Sequence, residues 1–126
     1  MLGSLFSVAL GGAAGASLRY LAGVGIVRLF GHMGFPVAII TVNVIGSFLM
    51  GVFVVLAAQR GLTHLSPLVM TGLLGGFTTF SAFSLEAVTL YERGAVGQAA
   101  LYVGISVVAS IGALVAGLWM ARSVLS

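Results

Sequence analysis

The chain has 126 residues, of which 60% are hydrophobic and only 6% are charged. About a quarter of the residues in an ordinary soluble domain are charged, so this composition excludes a soluble fold and favours a membrane protein. The five basic residues are all Arg and are scattered along the chain, which argues against a nucleic-acid-binding face. Cys is absent from the sequence, which excludes disulfides and thiol chemistry.

Four segments are long enough to cross a membrane, since a spanning helix needs about 20 apolar residues. The first is too long for a cleaved leader, so we expect a retained helix. His32 and His64 fall in connections and are interpreted as interfacial residues. Because the connections are short, we predict an all-α membrane protein with one domain, 1–126, and four transmembrane helices. The predicted spans are about 2–29, 36–58, 68–91 and 97–121.

The loop charges give no preferred orientation. With four spans, Arg60 and Arg122 lie on one side of the membrane, and Arg28 and Arg93 lie on the other. Arg19 lies further into the first span toward the second side, so the count is two against two or three, and the positive-inside rule gives no answer. Either so few charges always give a noisy count, or the chain inserts both ways up, which would permit an antiparallel dimer with its axis in the membrane plane.

Polar side chains mark the second and fourth spans. Asn43 and Ser47 share one helix face by their spacing, and Tyr102, Ser106 and Ser110 form a stripe at the same interval. Membrane serines often bond to their own helix or permit tight packing. A Tyr-Ser-Ser stripe facing an Asn is also typical of a wet pathway, so both interpretations remain open.

The stretch TGLLGGFTTFSAFS (71–84) predicts a break inside the third span. A span ending at its paired glycines would be only about 12 Å long, whereas the hydrocarbon core is about 30 Å thick. We therefore predict one crossing with a mid-membrane break near 75–79, because glycine weakens a helix and Thr78 and Thr79 weaken it further. Backbone groups freed there must face protein, water or an ion. The alternative is a glycine pair that lets another helix pack closely.

Phe80 and Phe83 follow the predicted break and share a face. Paired Phe residues usually pack in a core, but aromatic edges carry positive potential and can meet an anion without holding it tightly. Glu86 can pair with Arg19, cap a polar vestibule or relay protons. Arg19 can attract anions or extend to the headgroups. The sequence shows no catalytic triad, phosphate loop or metal-ligand cluster, so we predict no enzyme.

These segments together resemble the Fluc, or CrcB, family of fluoride ion channels along essentially the whole chain. The resemblance lies in GGAAGASLRY, TVNVIGSFLMG, TGLLGGFTTFSAFSLE and YVGISVVAS, of which the third is highly specific. It implies an antiparallel, dual-topology homodimer in the cell inner membrane, with two fluoride pores that each take residues from both subunits. It also implies a structural Na⁺ at the dimer centre, held by the backbone carbonyls of Gly75 and Thr78 and not transported.

The same resemblance assigns the pore residues. Arg19 falls in the vestibule, and Ala82 and Leu114 depart from the polar residues found in some members of the family. The fluoride path falls on Asn43, Phe80, Phe83, Tyr102, Ser106 and Ser110, and further polar candidates are Ser47, Thr79, Ser81, Ser84 and Glu86.

The leading hypothesis is a passive channel that exports fluoride and lowers its toxicity. Fluoride enters cells as the neutral weak acid, ionises inside and leaves down the membrane potential. One rival is a small proton-coupled exporter, a class whose members resemble one another in an essential Glu of the first helix. The first span here has no acid, so Glu86 would have to serve. Another rival is a structural subunit of a larger complex.

Overall fold

The structure is a computed structural model that describes residues 1–31 and 35–125, and its regular elements are all helical. Four described segments are long and apolar enough to span a membrane, which confirms the predicted all-α architecture. His32 lies outside the described residues, and His64 is exposed in a 3₁₀ turn. The elements are α1 (Leu2–Phe30), α2 (Val37–Arg60), a 3₁₀ turn (Thr63–Leu65), a π-helix (Pro67–Leu74), α3 (Gly75–Phe77), α4 (Phe80–Glu92) and α5 (Val96–Leu125).

The helices extend slightly beyond the predicted spans. At the C-terminal end α5 continues to Leu125 because its polar last turn remains helical and Ser123 Oγ donates to the Trp119 carbonyl at 2.9 Å. Two helices end on a glycine with a positive φ, Gly31 at 74° and Gly61 at 69°. Glycine adopts this conformation without the steric cost of a Cβ, so the connections begin where the sequence placed them.

The third span, Thr63–Glu92, contains a π-helix that the apolar pattern did not predict. Pro67 begins it, at a position where a missing backbone N–H removes no helical hydrogen bond. The π-helix and α3 together form the first half of the third span, and α4 forms the second half. π-Helical turns are rare and often lie at functional sites, so this half of the span is set apart from an ordinary helix.

Glycines pack the first half of the third span directly against α1. Gly11 and Gly15 are buried, and a Cβ on Gly15 would collide with the Leu73 carbonyl. A Cβ on Gly76 would lie only 2.8 Å from the Gly12 carbonyl. Backbone therefore meets backbone at this interface, as is usual where small residues line a membrane helix pair.

A second pair of glycines joins α2 to α5 in the same way. A Cβ on Gly51 would collide with the Leu114 carbonyl, and one on Gly117 would collide with the Phe48 carbonyl. The arrangement is reciprocal, because each glycine faces the backbone of the opposite helix. The molecule thus contains two closely packed pairs, α1 with the first half of the third span and α2 with α5.

The third span changes its packing partner along its length. Its first half packs on α1, whereas α4 packs on α5 around a buried cluster of Leu90, Ala99 and Tyr102. The Phe83 ring lies 5.4 Å from the Tyr102 ring across this second interface. The change of partner coincides with the interruption between α3 and α4, which positions the candidate site.

Candidate functional site at the interrupted third span

The third span is interrupted at two threonines. Thr78 has φ −87° and ψ 161°, and Thr79 has φ −151° and ψ 121°, so both are extended. β-Branched residues favour this conformation. The glycines behave differently from the threonines, because Gly75 and Gly76 are still helical. Gly76 instead permits the close approach of α1, which is the packing role that the sequence left open.

The side-chain amide of Asn43, on α2, bonds to both the backbone N–H and the backbone carbonyl of Thr79. The Thr79 N–H donates to Asn43 Oδ1 at 2.7 Å, and Asn43 Nδ2 donates to the Thr79 carbonyl at 3.0 Å. Buried backbone groups need partners, and here a side-chain amide supplies what a neighbouring strand would supply in a sheet. Asn43 therefore holds the interruption in place as well as lining the site.

The interruption separates the Gly75 and Thr78 carbonyls, among others of this turn, from their helical donors. In a continuous helix the Gly75 carbonyl would accept from the Thr79 N–H, and the Thr78 carbonyl would accept from the Ala82 N–H. Here the Thr79 N–H donates to Asn43 Oδ1 instead, and the Ala82 N–H donates to Thr79 Oγ1 at 3.1 Å. Gly75 is exposed at the surface of the chain. Carbonyl oxygens suit hard cations, so these two groups can contribute to a cation site.

No cluster of three or more His, Cys, Asp or Glu that could hold a metal is present within residues 1–31 and 35–125. The Gly75 and Thr78 carbonyls are backbone oxygens that the interruption leaves without their helical donors, so they are candidate ligands in this part of the chain.

Thr79 also caps α4. Its hydroxyl accepts from the Ala82 N–H and lies 3.3 Å from Ser81 Oγ. This is the ordinary N-cap arrangement, in which a Thr oxygen satisfies one of the free donors of the first turn. The positive end of α4 therefore begins beside the cavity described next.

A cavity of about 370 Å³ lies between α2, the interruption and α5. It brings together seven residues that the sequence assigned to the pore or to its polar lining: Asn43, Ser47, Thr79, Phe80, Phe83, Ser106 and Ser110. Thr78 and Leu114 also line it, and four lining residues were missed: Gly46, Met50, Val107 and Ile111. Gly46 could have been found, because it lies three residues after Asn43 on the same face, where a Cβ would collide with the Thr78 side chain.

Tyr102 lies behind this cavity instead of lining it. Its side chain is completely buried, with its ring 5.4 Å from Phe83 and 5.6 Å from Phe35. Within the described part of the chain, neither the Tyr102 hydroxyl nor the buried Ser106 hydroxyl has a hydrogen-bond partner of standard geometry. Buried hydroxyls are nearly always paired, and Ser106 faces the cavity, so a guest there would meet an unsatisfied polar group.

The other polar candidates lie outside the cavity lining. Ser81 is exposed, Ser84 Oγ donates to the carbonyl of Phe80 at 3.0 Å, and Glu86 is half-buried on α4. Arg19 Nε donates to the Gly76 carbonyl at 3.1 Å. Within residues 1–31 and 35–125 of the single chain, Arg19 forms no ion pair with Glu86.

The sequence of the chain matches a known family over most of its length. A family model described as "CrcB-like protein, Camphor Resistance (CrcB)" matches residues 6–118. The chain belongs to this family. The resemblance seen in the four sequence segments is thereby confirmed.

Close relatives extend over the same length. The chain is 68% identical over 126 residues to a protein of Ruegeria sp. (strain TM1040), covering 100% of both chains. It is 76% identical over 101 residues to one of Jannaschia sp. (strain CCS1), covering 77% of this chain and 96% of the relative. It is 50% identical over 118 residues to one of Agrobacterium fabrum (strain C58), covering 92% and 94%. All three are named "Fluoride-specific ion channel FluC".

Proposed function

We propose that this protein is a fluoride-specific ion channel that exports fluoride passively across the inner membrane and lowers its toxicity. The names of its relatives supply the identity of the ion, and they describe channels, in agreement with the expectation that the chain is no enzyme. The observation in this chain that carries the proposal is the cavity beside the interrupted helix, where polar side chains meet in a span that is otherwise apolar. Polar groups at such positions usually serve an ion or substrate path.

The cavity has the chemistry that a small, strongly hydrated anion requires. Replacing the water shell of fluoride takes compact donors, and the hydroxyls of Ser47, Ser106 and Ser110 are of this kind. Phe80 and Phe83 add aromatic edges, with ring centroids 5.3 Å apart. Such edges attract an anion weakly, which suits conduction because an ion must leave as readily as it enters.

The proposed assembly is an antiparallel homodimer with one chain in each orientation. The tie among the loop charges is consistent with insertion both ways up. Phe80 lines the cavity and yet is 78% exposed in the single chain. A second copy packed over the interruption would cover this ring and close the open side of the cavity. Two pores per dimer, each with residues from both chains, follow from the same two-fold symmetry.

We also propose a structural sodium ion on that two-fold axis. The Gly75 and Thr78 carbonyls would hold it, because the interruption takes away their helical donors and two copies would supply four oxygens. A bound sodium would neutralise the carbonyl ends of the two interrupted helices and join the copies. The chain's own contribution is the extended Thr78 and Thr79 backbone, which Asn43 keeps from closing into a helix.

Reconstitution in liposomes tests the channel. Vesicles loaded with fluoride should release it through the purified protein within seconds of adding an ionophore that balances charge, whereas chloride-loaded vesicles should not. Asn43→Asp places a carboxylate in the anion path and should abolish release. Comparable release of chloride and fluoride would contradict the proposal. Glu86→Gln is the control for a proton-coupled exporter, and fluoride release should survive it.

The absence of natural Cys provides a direct test of dual topology. Thr63→Cys and Gln98→Cys place single thiols at exposed positions in the second and third connections or just beyond them, on opposite sides of the membrane. A maleimide that cannot cross the membrane should label about half of each variant in intact cells if both orientations coexist. Complete labelling of one variant and none of the other would establish a single orientation and exclude the antiparallel dimer.

A further inference from the structure

Arg19 lies at the negative end of an interrupted helix. It is half-buried within α1, and its Nε donates to the Gly76 carbonyl at 3.1 Å. The first half of the third span ends at Phe77, so Gly76 belongs to the last turn, whose carbonyls carry partial negative charge. The guanidinium is cationic and has only hydrogen-bond donors to offer. It is therefore a fixed cation placed among backbone oxygens.

The Gly76 carbonyl, which accepts a hydrogen bond from Arg19, lies in the sequence between the carbonyls of Gly75 and Thr78. Gly75 precedes Gly76 in the same helical turn, and Thr78 follows one residue after that turn ends. The Thr79 and Ala82 N–H groups that would otherwise pair with the Gly75 and Thr78 carbonyls are used elsewhere. A cation bound at those two carbonyls would therefore lie close to a positive charge supplied by the chain itself.

We infer that Arg19 makes the cation site at Gly75 and Thr78 selective for monovalent ions. This inference rests on the proposed sodium site. The repulsion between Arg19 and a bound ion is proportional to the charge of the ion, so a divalent ion meets twice the repulsion that sodium meets. That repulsion is strong where water is excluded and weakly screened.

The discrimination is needed because backbone oxygens alone do not supply it. Ca²⁺ takes the same carbonyl ligands, usually with carboxylates that balance its second charge. The two acids of the sequence, Glu86 and Glu92, both lie on α4: Glu86 comes about two helical turns after the interruption, and Glu92 is exposed at the far end of the helix. Fixed positive charge without a nearby anion favours the ion of lower charge.

Thermal unfolding of the purified dimer in sodium, calcium or choline chloride at equal ionic strength tests the inference. In the natural protein sodium should raise the unfolding temperature above that in choline, and calcium should not. In Arg19→Gln calcium should raise the unfolding temperature above that in choline at least as well as sodium does, since the extra repulsion is gone. Arg28→Gln removes the same charge from an exposed site on the same helix and should leave the order of ions unchanged.

Arg19→Lys keeps the charge but changes the donor geometry. It should unfold at a lower temperature than the natural protein while still preferring sodium, and a calcium response in this variant would overturn the inference even if Arg19→Gln failed to fold. An unchanged preference for sodium in Arg19→Gln would also overturn it. If sodium has no effect on the natural protein, the sodium site itself fails and the role of Arg19 fails with it. The liposome assay measures fluoride release independently of that result.

Discussion

The third span has two unlike sides. Toward α1 its first half packs backbone to backbone through Gly15 and Gly76, with no side chain between the helices at these points. Toward α2 and α5 it leaves a cavity of about 370 Å³ lined by Asn43 and a row of hydroxyls and rings. Close glycine packing on one side fixes the span, and this allows the opposite side to give up helical hydrogen bonds and to face open space.

The largest effect is expected from removing the Asn43 amide, which bonds to the interrupted backbone on the cavity side of the third span. Asn43→Leu leaves the Thr79 N–H and carbonyl without their partners, and each unsatisfied buried group costs about 1–3 kcal/mol. The unfolding temperature should fall clearly, and fluoride release should be lost. Thr41→Val is the matched control, because Thr41 lies on the same helix outside the cavity lining, its hydroxyl bonds to the Val37 carbonyl, and the variant should keep most of both. Normal release by Asn43→Leu would mean that the interruption does not need the amide.

The packed side should respond to a single added methyl group. Gly15→Ala pushes a Cβ into the Leu73 carbonyl and should destabilise the fold by about 1–3 kcal/mol, as overpacking usually does. Gly23→Ala lies on the same helix with open space around it and should instead stabilise by about 1 kcal/mol or less. Denaturation of both variants in one detergent measures the contrast. Equal effects of the same sign would show that the glycine interface does not determine the packing.

The N-cap of α4 should contribute less to stability than the Asn43 amide or the glycine packing on α1. Thr79→Val removes the hydroxyl that accepts from the Ala82 N–H and should cost about 1 kcal/mol, whereas Thr79→Ser keeps the oxygen and should cost less than half of that. Thermal unfolding in the presence of sodium gives both values. If Val and Ser behave alike, the hydroxyl is not what begins the helix.

The smallest effect on stability, with a large effect on transport, is expected for Phe80→Ile. The Phe80 ring is 78% exposed in the single chain, and Ile would still offer an apolar side chain to a second copy, so the substitution should change the unfolding free energy by only about 0.5 kcal/mol. Fluoride release should nevertheless slow by about tenfold, since an aromatic edge is lost from the path. Phe83→Ile is the comparison, because that ring also packs on Tyr102 and should destabilise the fold. Full release by Phe80→Ile would remove this ring from the path.

Several residues of the candidate site could be singled out from the sequence because their signals are local. The polar residues Asn43, Ser106 and Ser110 recur at helical spacing in apolar spans, and the cavity contains all three. The four spans follow from apolar length, which depends little on tertiary packing.

What depends on neighbouring helices could not be predicted in the same way. Tyr102 continues the Ser106 stripe by spacing, yet the large ring packs behind Phe83 and only the smaller residues reach the cavity. The glycine pair looked like the weak point of the third span. Both glycines are helical, and Gly76 packs closely against α1. The backbone extends instead at the threonines, where Asn43 replaces the lost hydrogen bonds. The hydrogen bond of Arg19 could not be predicted either, because its partner, the Gly76 carbonyl, is 57 residues away and no spacing rule indicates such a contact.

The π-helix from Pro67 to Leu74 makes the register of the third span sensitive to length. Each residue turns a helix by a large angle, about 100° in an α-helix, so deleting one residue while the π-helical winding persists would rotate everything that follows. Thr79 would then swing away from α2 while every amino acid of the site stayed in the sequence. Substitution tables would miss such a change, and a scan of single deletions across this segment would reveal it.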